Sequence, residues 1–307
     1  MLAIGVSKKS VPGPDENAMT VRYRDLRYLR VEVDDLDAAT RFAADLFGLQ
    51  LADRDDTHAM FRSDARNYSI CFSRSKDGDA VALTVSEASD LEEMAERLKS
   101  EGYMARRLNA VQAAARQAED ILTVIAPNGV TVEIVWRPMT SGWRYHGPRD
   151  AGIVELQAVS LASSNIAADE AFWTRGLGLT VTDWVGDAAY LALDEAHHRI
   201  ALYPSNRNGI LGVTFGVEDK NHVMANWYFL QKAQVPVVAG PGRQPASNAM
   251  FVTARGPRGL LMSYAVEAEC GSHIRERGPR QFPDVASSHC AWGSPTEQPE
   301  FLGGGRE

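Results

Sequence analysis

Two adjacent imidazoles, His197 and His198, are the most concentrated chemical resource in the chain. A neutral imidazole near pH 7 can move protons in an isomerisation, an elimination or a hydrolysis without help from a metal. The apolar run that follows them, Ile200-Ala201-Leu202, predicts a strand that includes the pair. Neighbours on a strand point to opposite faces, so at most one of the two can line a cavity. The other thiols and imidazoles offer less. Cys71, Cys270 and Cys290 lie far apart with no CxxC pair, which suits a reducing compartment and gives no zinc or disulfide framework. His58, His146 and His222 read as surface or linker residues, and no Ser-His-Asp or Cys-His arrangement can be read from spacing.

The elements that must position His198 occur twice. The first copy runs Arg27-Tyr28-Leu29-Arg30-Val31-Glu32-Val33, then a helical stretch from Asp35 to Phe47, then Gly48-Leu49. The second runs Gln157-Ala158-Val159-Ser160-Leu161, then Ala167-Ala168, then Phe172 to Gly178-Leu179. Phe42 and Phe172, Gly48 and Gly178, and Gly129 and Gly259 are each separated by the same 130 positions, which marks a duplicated module. Asp35 or Asp37 can cap the first helix, with Ala38, Phe42 and Leu46 as its apolar face and Gly48 ending it. Strands are predicted over 68–72 and 81–85, a helix over 90–100, and a hairpin across the Pro127-Asn128-Gly129 turn. A second set follows at 198–203, 212–217 and 223–232, with a last hairpin turning at Pro257-Arg258-Gly259. Each half is therefore α+β with a mostly antiparallel sheet. We expect an N-terminal arm over 1–24, a first module over 25–138, a linker over 139–150, a second module over 151–267 and a tail over 268–307. The tail, rich in Gly, Pro and Ser, is expected as an extended arm packed over a domain or as a mobile segment.

Composition excludes several classes. The chain has 307 residues, 45% hydrophobic and 23% charged, as an ordinary globular protein does. A formal charge of −8 argues against a phosphate-backbone partner, so no nucleic acid is expected. No apolar run approaches a membrane span, and Lys8-Lys9 is followed by Ser10-Val11-Pro12 rather than a signal-peptide core. The expected location is cytoplasmic.

These landmarks resemble the vicinal oxygen chelate superfamily of glyoxalases, bleomycin-resistance proteins and type I extradiol dioxygenases. Two modules in one chain, His197-His198-Arg199-Ile200-Ala201-Leu202, Gly240-Pro241-Gly242-Arg243, and the tail strings Pro279-Arg280-Gln281-Phe282-Pro283 and Ala291-Trp292-Gly293 are similar to its catechol 2,3-dioxygenase branch. The resemblance implies tandem modules of paired βαβββ units with cupped sheets, a homo-oligomer, and a role in aromatic-compound metabolism. It also implies Fe(II) or Mn(II) held by two His and one Glu of the second module. At those positions this chain has Gln157, Gly212 and Ser263, and it has Gln244 and Thr253 where the family carries a further His and a Tyr. A neutral amide, a hydrogen and a hydroxyl cannot replace two imidazoles and a carboxylate. Only His198 stands at the position of the family's acid/base His. The corresponding positions of the first module are Arg27, Ala80 and Glu133, with Glu133 expected as a solvated strand residue or an Arg partner.

The expectation is therefore a module that binds a small aromatic or flat organic ligand with no metal and no other cofactor. Its lining is expected to comprise Gln157, His198, Gly212, Gln244, Asn248, Thr253 and Ser263, with Trp184 and Tyr264 as stacking walls. The competing readings are a metal-independent isomerase, lyase or hydrolase using His198 as general acid/base, an accessory subunit of an active paralogue, and an active Fe(II)/Mn(II) ring-cleaving dioxygenase with ligands not recognised here.

Overall fold

The computed structural model describes residues 21–304. Its first half contains β1 (Tyr23–Glu32), α1 (Leu36–Arg41), β2 (Gln50–Arg54), β3 (His58–Arg62), β4 (Ile70–Ser73), β5 (Ala80–Val85), α2 (Ser89–Ser100), β6 (Ala105–Arg107), α3 (Ala110–Ala115), β7 (Ala118–Ile125) and β8 (Thr131–Pro138). The second half contains β9 (Ile153–Ser163), α4 (Ile166–Ala171), β10 (Thr180–Val185), β11 (Ala188–Ala192), β12 (Ile200–Pro204), β13 (Gly209–Val217), α5 (Lys220–Lys232), β14 (Val237–Arg243), β15 (Met250–Arg255) and β16 (Leu261–Val266). The tail adds α6 (His273–Arg277), β17 (Arg280–Phe282) and α7 (Ala286–His289).

The duplication is visible in the strand order. The first sheet runs β2-β3-β4-β1-β5-β8-β7-β6, and the second runs β14-β15-β16-β13-β9-β12-β11-β10 with β17 added beyond β10. In both, one βαβββ unit meets its partner at a central antiparallel pair, β1 with β5 and β9 with β13. The fold is α+β, as expected. A single apolar cluster, from Leu26 and Phe47 through Leu156, Trp173 and Met262, joins the helix-covered faces of both sheets. The opposite face of each sheet lies outside that cluster.

Local chemistry explains the helix after β1. Asp35 accepts a hydrogen bond from the Ala38 amide at 2.8 Å and caps the helix. Beyond Arg41 the chain opens into a π turn, Phe42–Phe47, which Gly48 ends at φ +91°. The buried face is Leu36, Ala39, Ala43 and Phe47, while Ala38 is exposed and Phe42 and Leu46 are half-buried. The four-residue spacing holds, at Ala39, Ala43 and Phe47, but on the face one residue on from the expected Ala38, Phe42 and Leu46.

The tail is an arm packed over the second module as far as residue 304. Its strand β17 pairs in parallel with the edge strand β10, Asp183 to Arg280 and Val185 to Phe282. Further on, Glu300 is buried against Ser205, whose hydroxyl donates to it at 2.6 Å.

Candidate functional site

The concave face of the second sheet and the tail enclose a cavity of about 400 Å³. Its floor is a row of neutral polar side chains in register across four strands. Thr253 on β15 faces Ser263 on β16, Ser263 faces Thr214 on β13, and Thr214 lies beside Ala158, next to Gln157 on β9. The Thr253 and Ser263 hydroxyls are 2.8 Å apart. Apolar Ala239, Ala249, Phe251 and Ala265 continue the wall, and α7 with the segment after it closes the top through His289, Cys290 and Phe301. Among the described residues, no Lys, Arg, Asp or Glu lines the cavity.

One side is a buried aromatic and polar network. The Tyr190 and Tyr203 hydroxyls are 3.0 Å apart, and the Gln244 amide donates to Tyr190 at 3.1 Å. Burial pushes the Tyr203 phenol up to about 12, so it remains a neutral donor. His198 adjoins them, its ring edge-on to Tyr190 with centroids 5.0 Å apart. Burial, together with neighbouring His197 and Arg199, holds its imidazole well below the ordinary histidine value, so His198 is neutral. His289 is lowered too, by burial, and its Nδ1 is sealed from solvent with no partner among the described residues.

Five expected site residues meet here: Gln157, His198, Gln244, Thr253 and Ser263. Four do not. Tyr264 follows Ser263 on β16 and points to the other face, where it stacks on Phe47 at 4.1 Å and donates to the Phe47 carbonyl at 2.6 Å. Trp184 is buried on the helix side, its indole nitrogen donating to Glu170. Asn248 is an exposed turn residue at φ +61° whose oxygens accept from Arg243. Gly212 shares a sheet face with Thr214, but a side chain there would meet the Leu261 carbonyl at 2.7 Å. Thr214, two residues on, is the β13 side chain that lines the cavity beside Ser263. It brings a hydroxyl, not an imidazole.

His197 and His198 also differ from expectation. They precede β12 in a loop rather than lying on it, and their Nδ1 atoms are 2.9 Å apart. Only His198 lines the cavity. His197 is fully buried, its Nε2 2.7 Å from a carboxylate oxygen of Asp183. In the first module Glu133 is not solvated. It is 1% exposed and accepts from Arg116 at 2.5 Å and from Tyr28 at 2.6 Å.

Sequence reasoning missed Thr214, Tyr203, Phe251, His289, Cys290 and Phe301. Thr214 lies two residues beyond the expected Gly212 on the same strand and the same face. The tail residues carry no local signal, because only the path of the arm brings them here.

An Fe(II) or Mn(II) site of two imidazoles and a carboxylate does not fit this floor, whose candidates are one amide and three hydroxyls. No group of three or more His, Cys, Asp or Glu side chains that could hold a metal occurs among the described residues. No helix among them is long and apolar enough to cross a membrane.

Residues 155–264 match the family model of the Glyoxalase/Bleomycin resistance protein/Dioxygenase superfamily. The match spans most of the second module, from β9 into β16. A 3-methylcatechol 2,3-dioxygenase of Pseudomonas putida is 28% identical over 195 residues, 58% of this chain and 67% of that protein. A 1,2-dihydroxynaphthalene dioxygenase of Pseudomonas putida is 26% identical over 160 residues, 49% of this chain and 53% of that protein. Among solved structures, a Mn(II)-bound glyoxalase from Novosphingobium aromaticivorans superposes with a TM-score of 0.82 at 23% identity, covering 94% of this chain and 96% of that one. A halotolerant catechol dioxygenase gives a TM-score of 0.82 at 17% identity over 91% and 97% of the two chains. The two-module vicinal oxygen chelate fold thus extends over nearly the whole chain.

Proposed function

We propose that the second module binds an uncharged, flat aromatic molecule without a metal ion, as a cytoplasmic, homo-oligomeric protein of aromatic-compound metabolism. The observation that carries this reading is the cavity lining. Its volume suits a one- or two-ring ligand, its walls are mainly apolar, and its polar groups are neutral hydroxyls, amides and imidazoles. An anionic ligand would be desolvated here with no counter-charge to meet it. The dioxygenases that share sequence with this chain are named for aromatic diols, which supports the substrate class.

The test is metal content by elemental mass spectrometry after anaerobic incubation with Fe(II) or Mn(II) and desalting, followed by calorimetric titration with 2-naphthol. Essentially no retained metal and saturable naphthol binding is the expected result. About one equivalent of metal per chain, with ring cleavage of catechols, overturns it.

One observation favours a catalytic variant of this reading. His198 is neutral and its Nε2 has no protein partner among the described residues, which is the state a general base needs in a metal-independent isomerase, lyase or hydrolase. His198→Gln that keeps ligand affinity but abolishes turnover assigns His198 to chemistry; parallel loss of affinity assigns it to binding.

A further inference from the structure

His198 is one end of a buried chain whose other end is a carboxylate, and the hydrogen-bond roles along that chain are determined. Asp183 is fully buried on β10. Burial raises its carboxyl, but hydrogen bonds from His197, Arg280 and Arg277 outweigh this and hold it far below the ordinary range, so Asp183 is ionised and can only accept. The proton between Asp183 and His197 therefore sits on His197 Nε2.

The remaining question is whether His197 Nδ1 accepts or donates toward His198. Around Asp183 the charges already balance. Arg277 and Arg280 both pair with Asp183 and Glu269, two cations against two anions. The nearby Arg199 is held by Asp194 and Glu155. A second proton on His197, at 0% exposure, would add a buried positive charge beside a carboxylate that two guanidiniums already share. His197 Nδ1 therefore accepts, and His198 Nδ1 donates to it across 2.9 Å. A neutral imidazole carries one ring proton, so His198 Nε2 is bare. Tyr190, edge-on to His198 and tilted against His197, holds both rings in place.

We propose that Asp183, acting through His197, fixes His198 in the Nδ1–H form and so presents the cavity with an obligate hydrogen-bond acceptor. Asp183 and His197 are positioning residues in this scheme, which rests on the reading that the cavity takes a ligand. The preferred ligand must offer a donor, an O–H or N–H, to His198 Nε2. An analogue whose donor is methylated leaves a desolvated acceptor unpaired and is rejected.

Nitrogen-15 NMR of histidine-labelled protein reads the ring form directly and needs no ligand. The expected spectrum shows His198 with Nδ1 protonated and Nε2 bare at pH 7.5. In His197→Phe, which replaces one buried ring by another beside Tyr190 and leaves Asp183 with its two arginines, His198 should move toward the Nε2–H form. Calorimetry with 2-naphthol and 2-methoxynaphthalene should show about tenfold tighter binding of the naphthol in the wild type, with the preference largely lost in His197→Phe. An Nε2–H form of His198 in the wild type overturns the proposal, and so does a ring form unchanged in a folded His197→Phe variant. If neither naphthalene binds, the ligand reading fails, while the wild-type spectrum still decides the positioning role.

Discussion

The two cups share a strand order and differ in what fills them. In the first module Tyr28 and Tyr68 stack at 4.6 Å over the sheet, and Leu108 and Ala113 from the α3 region pack with them. Arg116, just after α3, pairs with Glu133 at the centre of the floor. In the second module the position of Glu133 is Ser263, the position of Tyr28 is Ala158, and the cover is the tail, which leaves about 400 Å³ beneath it. The fold supplies a concave face in both cases; side-chain volume and charge decide whether that face is a core or a receptor. A buried ion pair plus two phenols makes a core, whereas hydroxyls and alanines leave room.

The largest effect should come from emptying the filled cup. Glu133→Leu leaves the Arg116 guanidinium and the Tyr28 hydroxyl without their partner, and denaturant unfolding should show a loss of about 3–5 kcal/mol. Ser263→Ala, its counterpart, should cost about 1 kcal/mol or less, since Thr253 loses a single hydroxyl contact at a cavity edge. Equal losses would mean the two floors are energetically alike. Next in size, Ser263→Phe should convert the open cup toward the filled one, weakening 2-naphthol binding at least about tenfold with the fold retained. Undiminished affinity would place the ligand elsewhere.

The smallest effect concerns pH. His198 and His289, both in the second cup, have folded values below the reference 6.5, so the unfolded chain binds more protons than the folded one as pH falls through that value. Stability is fully present above pH 6.5 and declines below it. The melting temperature should drop by a few degrees between pH 7.5 and 5.5, and by less in His198→Gln. An identical decline in the variant would remove His198 as its source.

The chain announces its modules because a duplication repeats every local constraint, helix cap and hairpin glycine alike, at one offset. The family resemblance points to Gln157, Thr253 and Ser263 as floor residues, and alternation along a strand puts sequence neighbours on opposite faces. The same rule, applied strictly, places Tyr264 on the opposite face, where it bridges to Phe47 and Arg149. Gly212 stays out of the cavity because β13 reaches it through Thr214, two residues on. Asp183 and His197 carry no pattern, since their contact depends on how β10 and the loop before β12 come together. His289 and Phe301 are further still from anything local: they reach the cavity only because β17 fixes the arm to the sheet edge.

That attachment orders events during synthesis. Both sheets can pair once β16 has emerged, yet at that stage Asp183 would have His197 and no guanidinium, because Arg277 and Arg280 arrive afterwards with α6 and β17. The second cup therefore matures last, its counter-ions and its roof delivered together by one late segment. A nascent chain stalled before that segment would present a vestibule without its electrical balance, and an uncovered β10 edge open to pairing with another chain.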